Sequence, residues 1–300
     1  MEQILKITFV IACILQTQNI FATEFTTYSQ KSMVHDPALS DSISAGDKAV
    51  GEKNYSGAMN LYETASKDKD TDVSASAFNR IGELYEWGYG TPRDYYQAFQ
   101  WYQKSAALGN PHAQGHLGNL YFFGHGIKRD FVEAAQWARL AADRGIVMAI
   151  NQMGFQYLSG NGVETDAEEA KRWYQKSADL GNAVGQEQLG WLFVHAPPLD
   201  YQKGMTWYKK AADQNNEVAQ NNIGYLYENG LGVPQNYAEA ARWYQLSANA
   251  GYSRAQFHLG LFYDQGLGVK IDKILARDLI QKAAVSGDSE AIQWLSRNGR

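Results

Sequence analysis

Apolar side chains recur along most of this chain at the spacing of an α-helix. Ala219, Ile223 and Tyr227 follow one another at intervals of four, and after a polar break the interval returns at Ala240 and Tyr244. This spacing places the apolar side chains on one face of each of two helices. The pattern therefore predicts a helical hairpin whose two apolar faces are buried.

The predicted hairpin is repeated about six times. A glycine preceded by Ile, Leu or Met marks the first helix of every copy, and an aromatic residue follows three positions later. The glycines are Gly82, Gly118, Gly154, Gly190, Gly224 and Gly260, at separations of 36, 36, 36, 34 and 36. No single hairpin can bury its apolar face alone, so the period predicts an all-α solenoid of stacked hairpins.

Each hairpin bends at a short segment that is glycine-rich in five of the copies, such as Gly230-Leu231-Gly232. A glycine-rich segment before a helix can also cradle a phosphate, but no strand precedes this one and no Lys-Ser or Lys-Thr follows it. Glycine adopts the left-handed conformation that ends many helices, which favours a joint. The fourth copy is two residues shorter and has Pro197-Pro198 instead; we expect its hairpin to persist with a stiffer bend.

The start of each second helix carries a capping signal. Residues whose side chains accept a hydrogen bond from the first turn are predicted N-caps: Asp94, Asp130, Asp166, Asp200, Asn236 and Asp272. An acidic or amide residue three positions later completes a predicted capping box in four copies: Gln97, Glu133, Glu169 and Glu239.

The glycine inside each first helix has a predicted packing role. Glycine costs about 1 kcal/mol relative to alanine in a helix interior, and the close approach of a neighbouring helix offsets that cost. The predicted opposing small residues on the second helices are Ala98, Ala134, Ala170, Gly204, Ala240 and Ala276. We expect the tryptophans of the second helices to fill the remaining core: Trp101, Trp137, Trp173, Trp207 and Trp243.

Residues 1–22 have the layout of a secretory signal peptide. Lys6 precedes an apolar run from Ile7 to Leu15, and cleavage is expected after Ala22. The run is shorter than the roughly 20 residues that span a bilayer. We therefore expect export, to the periplasm or the medium, and no integral membrane span in the mature chain. A buried N-terminal helix is the alternative.

Cys13 is the only cysteine, and the residues before it resemble the lipidation box of bacterial lipoproteins. A membrane-tethered lipoprotein scaffold is therefore a second alternative for this end of the chain. Cleavage after Ala22 would remove Cys13, which leaves no residue for a disulfide, a cysteine nucleophile or a thiolate zinc site.

The rest of the chain falls into two parts. Residues 23–40 lack the helical spacing of apolar side chains and are predicted to be a flexible lead-in. Residues 41–300 are the predicted solenoid, with a capping hairpin starting near Asp41 and a truncated helix at the C-terminal end. The predicted repeats occupy about 77–112, 113–148, 149–184, 185–218, 219–254 and 255–290.

Composition narrows the partner class. The chain is 45% apolar and 20% charged, with a net charge of −5. This composition is typical of a globular chain and gives no electrostatic reason to expect nucleic acid, which needs a basic face. No cofactor motif and no catalytic spacing is present, so neither a cofactor nor enzymatic activity is expected.

Two stretches carry a family resemblance: "AINQMGFQYLSGNGVETDAEEAKRWYQKSADLG" and "AQNNIGYLYENGLGVPQNYAEAARWYQLSANAG". Their shared pattern of Gly, Tyr, Gly-x-Gly, Ala and Trp-Tyr resembles the Sel-one-like repeats, relatives of the tetratricopeptide repeats, over about residues 45–295. The resemblance implies a right-handed α/α superhelix that acts as an adaptor for proteins or peptides, without a cofactor.

In such stacks the first helices line a concave groove. The positions three residues before and one residue after each helix glycine are expected to face this groove. Asparagine amides there would bond the backbone of an extended peptide, and aromatic rings would supply rigid apolar contacts. The alternative is that the rings pack against the next repeat and the amides are solvated. The predicted groove residues are Asn79, Glu83, Asn119, Asn151, Phe155, Trp191, Asn221 and Tyr225.

Two chemical alternatives remain. A hydrolase acting on cell-wall material, or a regulator of one, could use Glu83, Glu86 or Glu187 as acid and base, although no catalytic spacing supports it. His112 and His116 are four residues apart on one helix face, as a zinc pair requires. No third ligand is evident, and packed or groove-lining histidines are the competing interpretation.

Overall fold

The computed structural model describes residues 41–298, which form fifteen helices and no strand. The predicted signal peptide, Cys13 and the lead-in at 23–40 lie outside the described residues. The helices are α1 (Asp41–Gly51), α2 (Tyr55–Ala65), α3 (Thr71–Trp87), α4 (Tyr95–Ala107), α5 (Pro111–Phe123), α6 (Phe131–Asp143), α7 (Val147–Ser159), α8 (Ala167–Asp179), α9 (Ala183–His195), α10 (Tyr201–Ala212), α11 (Glu217–Asn229), α12 (Tyr237–Asn249), α13 (Ser253–Gln265), α14 (Lys273–Val285) and α15 (Ser289–Asn298).

The helices form two compact units, one ending at Trp173 and the other beginning at Tyr174. Unit 1 contains the hairpins α1/α2, α3/α4 and α5/α6 together with α7, and unit 2 contains α9/α10, α11/α12, α13/α14 and the final helix α15. Within each unit, every helix packs against the helices before and after it in sequence. The predicted all-α fold of stacked helical hairpins is confirmed.

The glycine joints end the first helices as predicted. Gly230 follows α11 with φ +66°, and its N–H donates to the carbonyl of Leu226. The same left-handed cap follows four other first helices, at Gly88, Gly124, Gly160 and Gly266. A side chain would strain this backbone, so the recurring glycine is explained by helix termination.

The second glycine of the joint has a different role. Gly126 has φ +70°, and a Cβ atom placed on it would lie 2.6 Å from the backbone nitrogen of Tyr96 in the preceding hairpin. Gly232 meets Tyr201 of the preceding hairpin in the same way, also at 2.6 Å. This glycine therefore allows the bend of one hairpin to contact the second helix of the hairpin before it.

The predicted N-caps are confirmed, but the capping boxes are wrong. Oδ1 of Asp94 accepts hydrogen bonds from the N–H groups of Tyr96 and Gln97, both at 3.0 Å. The N–H of Asp94 itself donates to the carbonyl of Tyr85 at 2.9 Å. That donor is therefore unavailable to the side chain of Gln97, because the end of the first helix already occupies it.

The equivalent bond from the cap N–H to the carbonyl of the first-helix aromatic is present in all six hairpins. It ties the start of each second helix to the end of the first. The acceptors are Tyr85, Tyr121, Tyr157, Phe193, Tyr227 and Tyr263.

Tyrosine, more than tryptophan, fills the core. A Cβ atom on Gly82 would lie 2.6 Å from the ring of Tyr102, and one on Gly224 would lie 2.8 Å from the ring of Tyr244. The tyrosine after each of four tryptophans is fully buried: Tyr102, Tyr174, Tyr208 and Tyr244. Of the tryptophans only Trp173 is buried, whereas Trp101, Trp137, Trp207 and Trp243 are partly exposed.

The opposing alanines contribute backbone instead of side chain. The carbonyl of Ala134 would lie 3.3 Å from a Cβ on Gly118, and that of Ala276 would lie 3.0 Å from a Cβ on Gly260. The sequence prediction of close approach at the helix glycine thus holds, but a tyrosine ring is often the nearest neighbour.

Candidate functional site

The predicted groove residues lie on the first helices α3, α5, α7, α9 and α11, and most of them are buried. Packing from neighbouring helices covers Asn79, Glu83, Asn119, Asn151, Phe155 and Asn221. For example, Nδ2 of Asn119 lies 3.1 Å from the sulfur of Met148 on α7. The expectation of an open groove therefore does not fit these six residues, four of which are asparagines. The two that reach solvent are Trp191, partly exposed, and Tyr225, 41% exposed.

In unit 1, Asn79 and Glu83 belong to a buried ionic network. The guanidinium of Arg80 lies 3.1 Å from Glu83, and it contacts both carboxylate oxygens of Asp47 on α1, at 3.0 and 3.1 Å. Nδ2 of Asn79 donates to Glu83 at 2.9 Å, and the hydroxyl of Tyr62 donates to Asp47 at 2.6 Å. The network connects the capping hairpin α1/α2 to the first repeat.

The network continues to His116 on α5. Its Nε2 lies 3.5 Å from Glu83 and its Nδ1 lies 3.2 Å from Glu86. Burial opposes protonation of His116, but the hydrogen bonds and charges of the two carboxylates outweigh it and raise its pKa to about 9. Burial likewise opposes ionisation of Glu83, yet Arg80 and His116 lower its pKa to about 2. Both groups are therefore charged at neutral pH.

Tyr102 completes this arrangement. Its hydroxyl donates to Oε2 of Glu86 at 2.5 Å, and its ring stacks on the imidazole of His116 with centroids 4.4 Å apart. Glu86, Tyr102 and His116 thus form one buried cluster from the helices α3, α4 and α5. Sequence reasoning considered two of these residues separately, as a catalytic acid and a zinc ligand, and missed the contact between them.

The same cluster recurs in unit 2. Glu228, Tyr244 and His258 follow Glu86, Tyr102 and His116 at the separation of Gly224 from Gly82. The hydroxyl of Tyr244 donates to Oε2 of Glu228 at 2.5 Å, and its ring stacks on His258 with centroids 5.0 Å apart. The common repeat register was the sequence signal that could have revealed it.

The two clusters differ in charge because two carboxylates lie close to the imidazole in unit 1, whereas in unit 2 the one carboxylate is farther away. The position of Glu83 in unit 1 is occupied by Tyr225 in unit 2. Without the second carboxylate, burial lowers the pKa of His258 to about 4, and the charge of Arg254 acts in the same direction. His258 is therefore neutral at pH 7, and its Nδ1 lies 4.0 Å from Glu228.

The two clusters also differ in exposure. The side chains of Glu86 and His116 are 1% and 3% exposed, whereas those of Glu228 and His258 are 26% and 22% exposed. Tyr225, one turn before Glu228 on α11, is the exposed aromatic residue beside them. We call Tyr225, Glu228, Tyr244 and His258 the Glu228 site.

The carboxylates considered for hydrolysis are all buried. Glu83 and Glu86 face the cations described above. Glu187, on α9, instead accepts hydrogen bonds from Gln188 at 2.7 Å and Asn222 at 3.3 Å. Burial raises the pKa of Glu187 to about 8, so it is mostly protonated at neutral pH. No substrate can reach these three groups in the packed structure.

Trp191 contributes a second partly exposed ring in unit 2. It stacks on His195 with centroids 4.8 Å apart, and Nδ1 of His195 lies 3.0 Å from the carbonyl of Trp191. The shortened fourth hairpin thus persists as α9 and α10, with His195 at the end of α9 supporting the indole.

No group of three His, Cys, Asp or Glu side chains within residues 41–298 is arranged to hold a metal ion. No helix in the same range is both long enough and apolar enough to cross a membrane.

Known proteins show the family of this chain. None of the curated protein sequences matches it significantly. A Sel1 repeat protein from Oxalobacter formigenes is 30% identical over 81% of this chain and 99% of its own, with a TM-score of 0.73. A protective antigen of uropathogenic Escherichia coli strains that displays this fold is 34% identical over 80% of this chain, with a TM-score of 0.67. This chain spans about half, 51%, of that antigen.

The sequence profile of the Sel1 repeat matches six consecutive segments: 75–110, 111–146, 147–182, 183–216, 218–252 and 253–288. The matched segments account for more than half of the chain and coincide with the hairpins from α3 to α14. The chain therefore belongs to the Sel1 repeat family.

Proposed function

We propose that this protein is an exported, non-catalytic adaptor that binds another protein or a peptide segment through its first helices. Sel1 repeats commonly serve as scaffolds for protein interactions. The observation that carries the proposal is the exposure of Tyr225, a residue that is 41% exposed on a helix face where most side chains are buried. Tyrosine and tryptophan dominate binding energies at protein interfaces.

The binding surface is narrower than the groove predicted from sequence. It includes Trp191 and Tyr225, which lie on the first helices of consecutive hairpins in unit 2. The amides Asn79, Asn119, Asn151 and Asn221 are buried by neighbouring helices and do not meet the partner directly.

The alternative of a hydrolase has no specific observation in its favour. Its candidate acid and base, Glu83 and Glu86, are buried and face Arg80 or His116. A general acid or base must come within hydrogen-bond reach of its substrate, which this packing prevents.

Capture of a partner tests the proposal. The chain from Thr23 onward would be used to recover proteins from periplasm and culture medium, alongside the double variant Trp191→Ala/Tyr225→Ala. A matched double variant, Tyr96→Ala/Leu246→Ala, removes exposed apolar side chains from second helices. We expect the first variant to lose the partner and the control to retain it. Equal recovery of the partner by both double variants would exclude Trp191 and Tyr225 as the binding surface.

Export rests on the sequence of residues 1–22, outside the described residues. N-terminal sequencing of the protein from its own cells should find a mature chain that begins at Thr23. Palmitate labelling that disappears in Cys13→Ser would instead support the membrane-tethered lipoprotein.

A further inference from the structure

Glu228 in unit 2 lies farther from its histidine than Glu86 does in unit 1, at 4.0 Å and 3.2 Å respectively. In unit 1, His116 lies within 3.5 Å of both Glu83 and Glu86, and the two carboxylates together raise its pKa. In unit 2 the histidine, His258, is neutral. It is the one basic side chain of residues 41–298 that lies within 4.0 Å of Glu228.

Arg254 on α13 pairs with a carboxylate other than Glu228. Arg254, whose charge reaches His258, lies 2.6 Å from the carboxylate of Glu290 on α15. Both contacts of Glu228, from Tyr244 and to His258, are made through Oε2, so Oε1 takes part in neither.

The surroundings of Glu228 suit a cation from solvent. The side chain of Glu228 is about a quarter exposed, 26%, whereas that of Glu86 is enclosed. The ring of Tyr225 is exposed one turn earlier on the same helix. A guanidinium is planar, pairs with carboxylates and stacks on aromatic faces, so one arginine side chain can contact both groups.

We propose that Glu228 and Tyr225 bind an arginine side chain of the partner. The inference rests on the proposed function, and it adds the chemistry of one anchor residue in the partner. A partially desolvated carboxylate without a cation gains most from such a pair, because surrounding apolar groups weaken the screening by water.

A pair of isosteric peptides tests the inference without any change to the protein. The probes are acetyl-Gly-Arg-Gly-amide and the same peptide with citrulline, which keeps the shape of arginine and removes its charge. Titration of the chain from Thr23 onward would be followed by NMR of backbone amides and histidine ring protons. We expect saturable shifts near residues 222–229 and 258 with the arginine peptide, and binding of the citrulline peptide weaker by about tenfold or more.

Variants locate the binding. The glutamine of Glu228→Gln can still accept a hydrogen bond from the hydroxyl of Tyr244, so the fold should persist. We expect this variant to bind the arginine peptide about tenfold more weakly. Glu164→Gln removes the same charge from an exposed loop and should leave binding unchanged. Tyr225→Phe should retain binding and Tyr225→Ala should weaken it. Circular dichroism would check that each variant is folded.

Three results would overturn the inference: no binding of the arginine peptide, equal binding of both peptides, or binding unaffected by Glu228→Gln. Partner capture separates this failure from that of the proposed function. If Glu228→Gln retains the partner while Trp191→Ala/Tyr225→Ala loses it, the surface stands and the arginine anchor is wrong.

Discussion

Nδ1 of His116 lies 3.2 Å from Oε2 of Glu86, and both side chains are almost completely withdrawn from solvent. A buried ion pair of this kind is costly to break, because removal of one partner leaves an uncompensated charge. The pair holds α5 against α3, and its strength depends on pH through the protonation of the imidazole.

The stability of unit 1 should decrease above neutral pH. His116 has a folded pKa of about 9, above its ordinary value of 6.5, so its contribution is complete below pH 6.5 and is lost as the pH rises toward 9. The melting temperatures of the wild type and His116→Gln should therefore differ most near pH 6 and least above pH 9. Glu83, with a pKa of about 2, keeps its contribution down to pH 4.5 and loses it in stronger acid.

His258 provides the control with the opposite sign. Its folded pKa of about 4 lies below 6.5, so the stability it contributes is present above pH 6.5 and is lost as the pH falls toward 4. The difference in melting temperature between the wild type and His258→Gln should thus become smaller in acid. The same pH dependence for both variants would contradict the assigned charges.

Replacement of Glu187 by glutamine should stabilise unit 2 at alkaline pH. The pKa of Glu187 is raised by burial from 4.5 to about 8, so its stabilising effect is present below pH 4.5 and is lost as the pH rises through 8. Glutamine has a similar shape and never ionises. We expect the melting temperature of Glu187→Gln, relative to wild type, to be higher at pH 8 than at pH 5. An unchanged difference would show that Glu187 ionises normally.

A second carboxylate beside His258 should raise its pKa. Tyr225→Glu places in unit 2 the residue that Glu83 provides in unit 1, where the imidazole has a pKa of about 9. NMR titration of the imidazole protons should show the His258 pKa rising well above its value of about 4. Tyr225→Gln, which adds no charge, is the matched control. A rise in both variants would mean that solvent access, and not charge, sets the pKa.

Replacement of the second glycine of a joint should destabilise the protein because a side chain there would collide with the preceding hairpin. Gly126 and Gly145 both have positive φ, at +70° and +86°, but a Cβ on Gly145 meets nothing within 4 Å. Alanine strains the backbone equally at the two sites, and at Gly126 it also collides with Tyr96. We expect chemical denaturation to show Gly126→Ala as less stable than Gly145→Ala by about 1–3 kcal/mol. Equal losses would show that backbone strain is the whole effect.

The helix ends were predictable because their causes are local. A left-handed glycine ends α11 at Gly230, and the side chain of Asn236 caps α12 by accepting from the N–H of Glu239. The capping box failed because its donor, the N–H of the cap residue, is bonded to the carbonyl of an aromatic residue on the previous helix. That competition depends on how two helices meet, and the capping-box pattern does not include it.

The candidate site was less predictable. Asn221 and Tyr225 are one turn apart on α11, yet Asn221 is buried and Tyr225 is exposed. Periodicity assigns a residue to a helix face, but neighbouring helices decide how much of that face they cover. The tryptophans illustrate the same point, since the tyrosine next to each of four of them is the more deeply buried ring.

The repeat, the alternation of helix and joint, and membership of the Sel1 repeat family follow from the amino-acid sequence, because these depend on spacing along the chain. Tertiary structure alone decided that His116 is charged while His258, at the same place in its repeat, is neutral. The reason is that a pKa responds to groups within a few ångströms. Those groups come from several helices, whose side chains no single repeat contains.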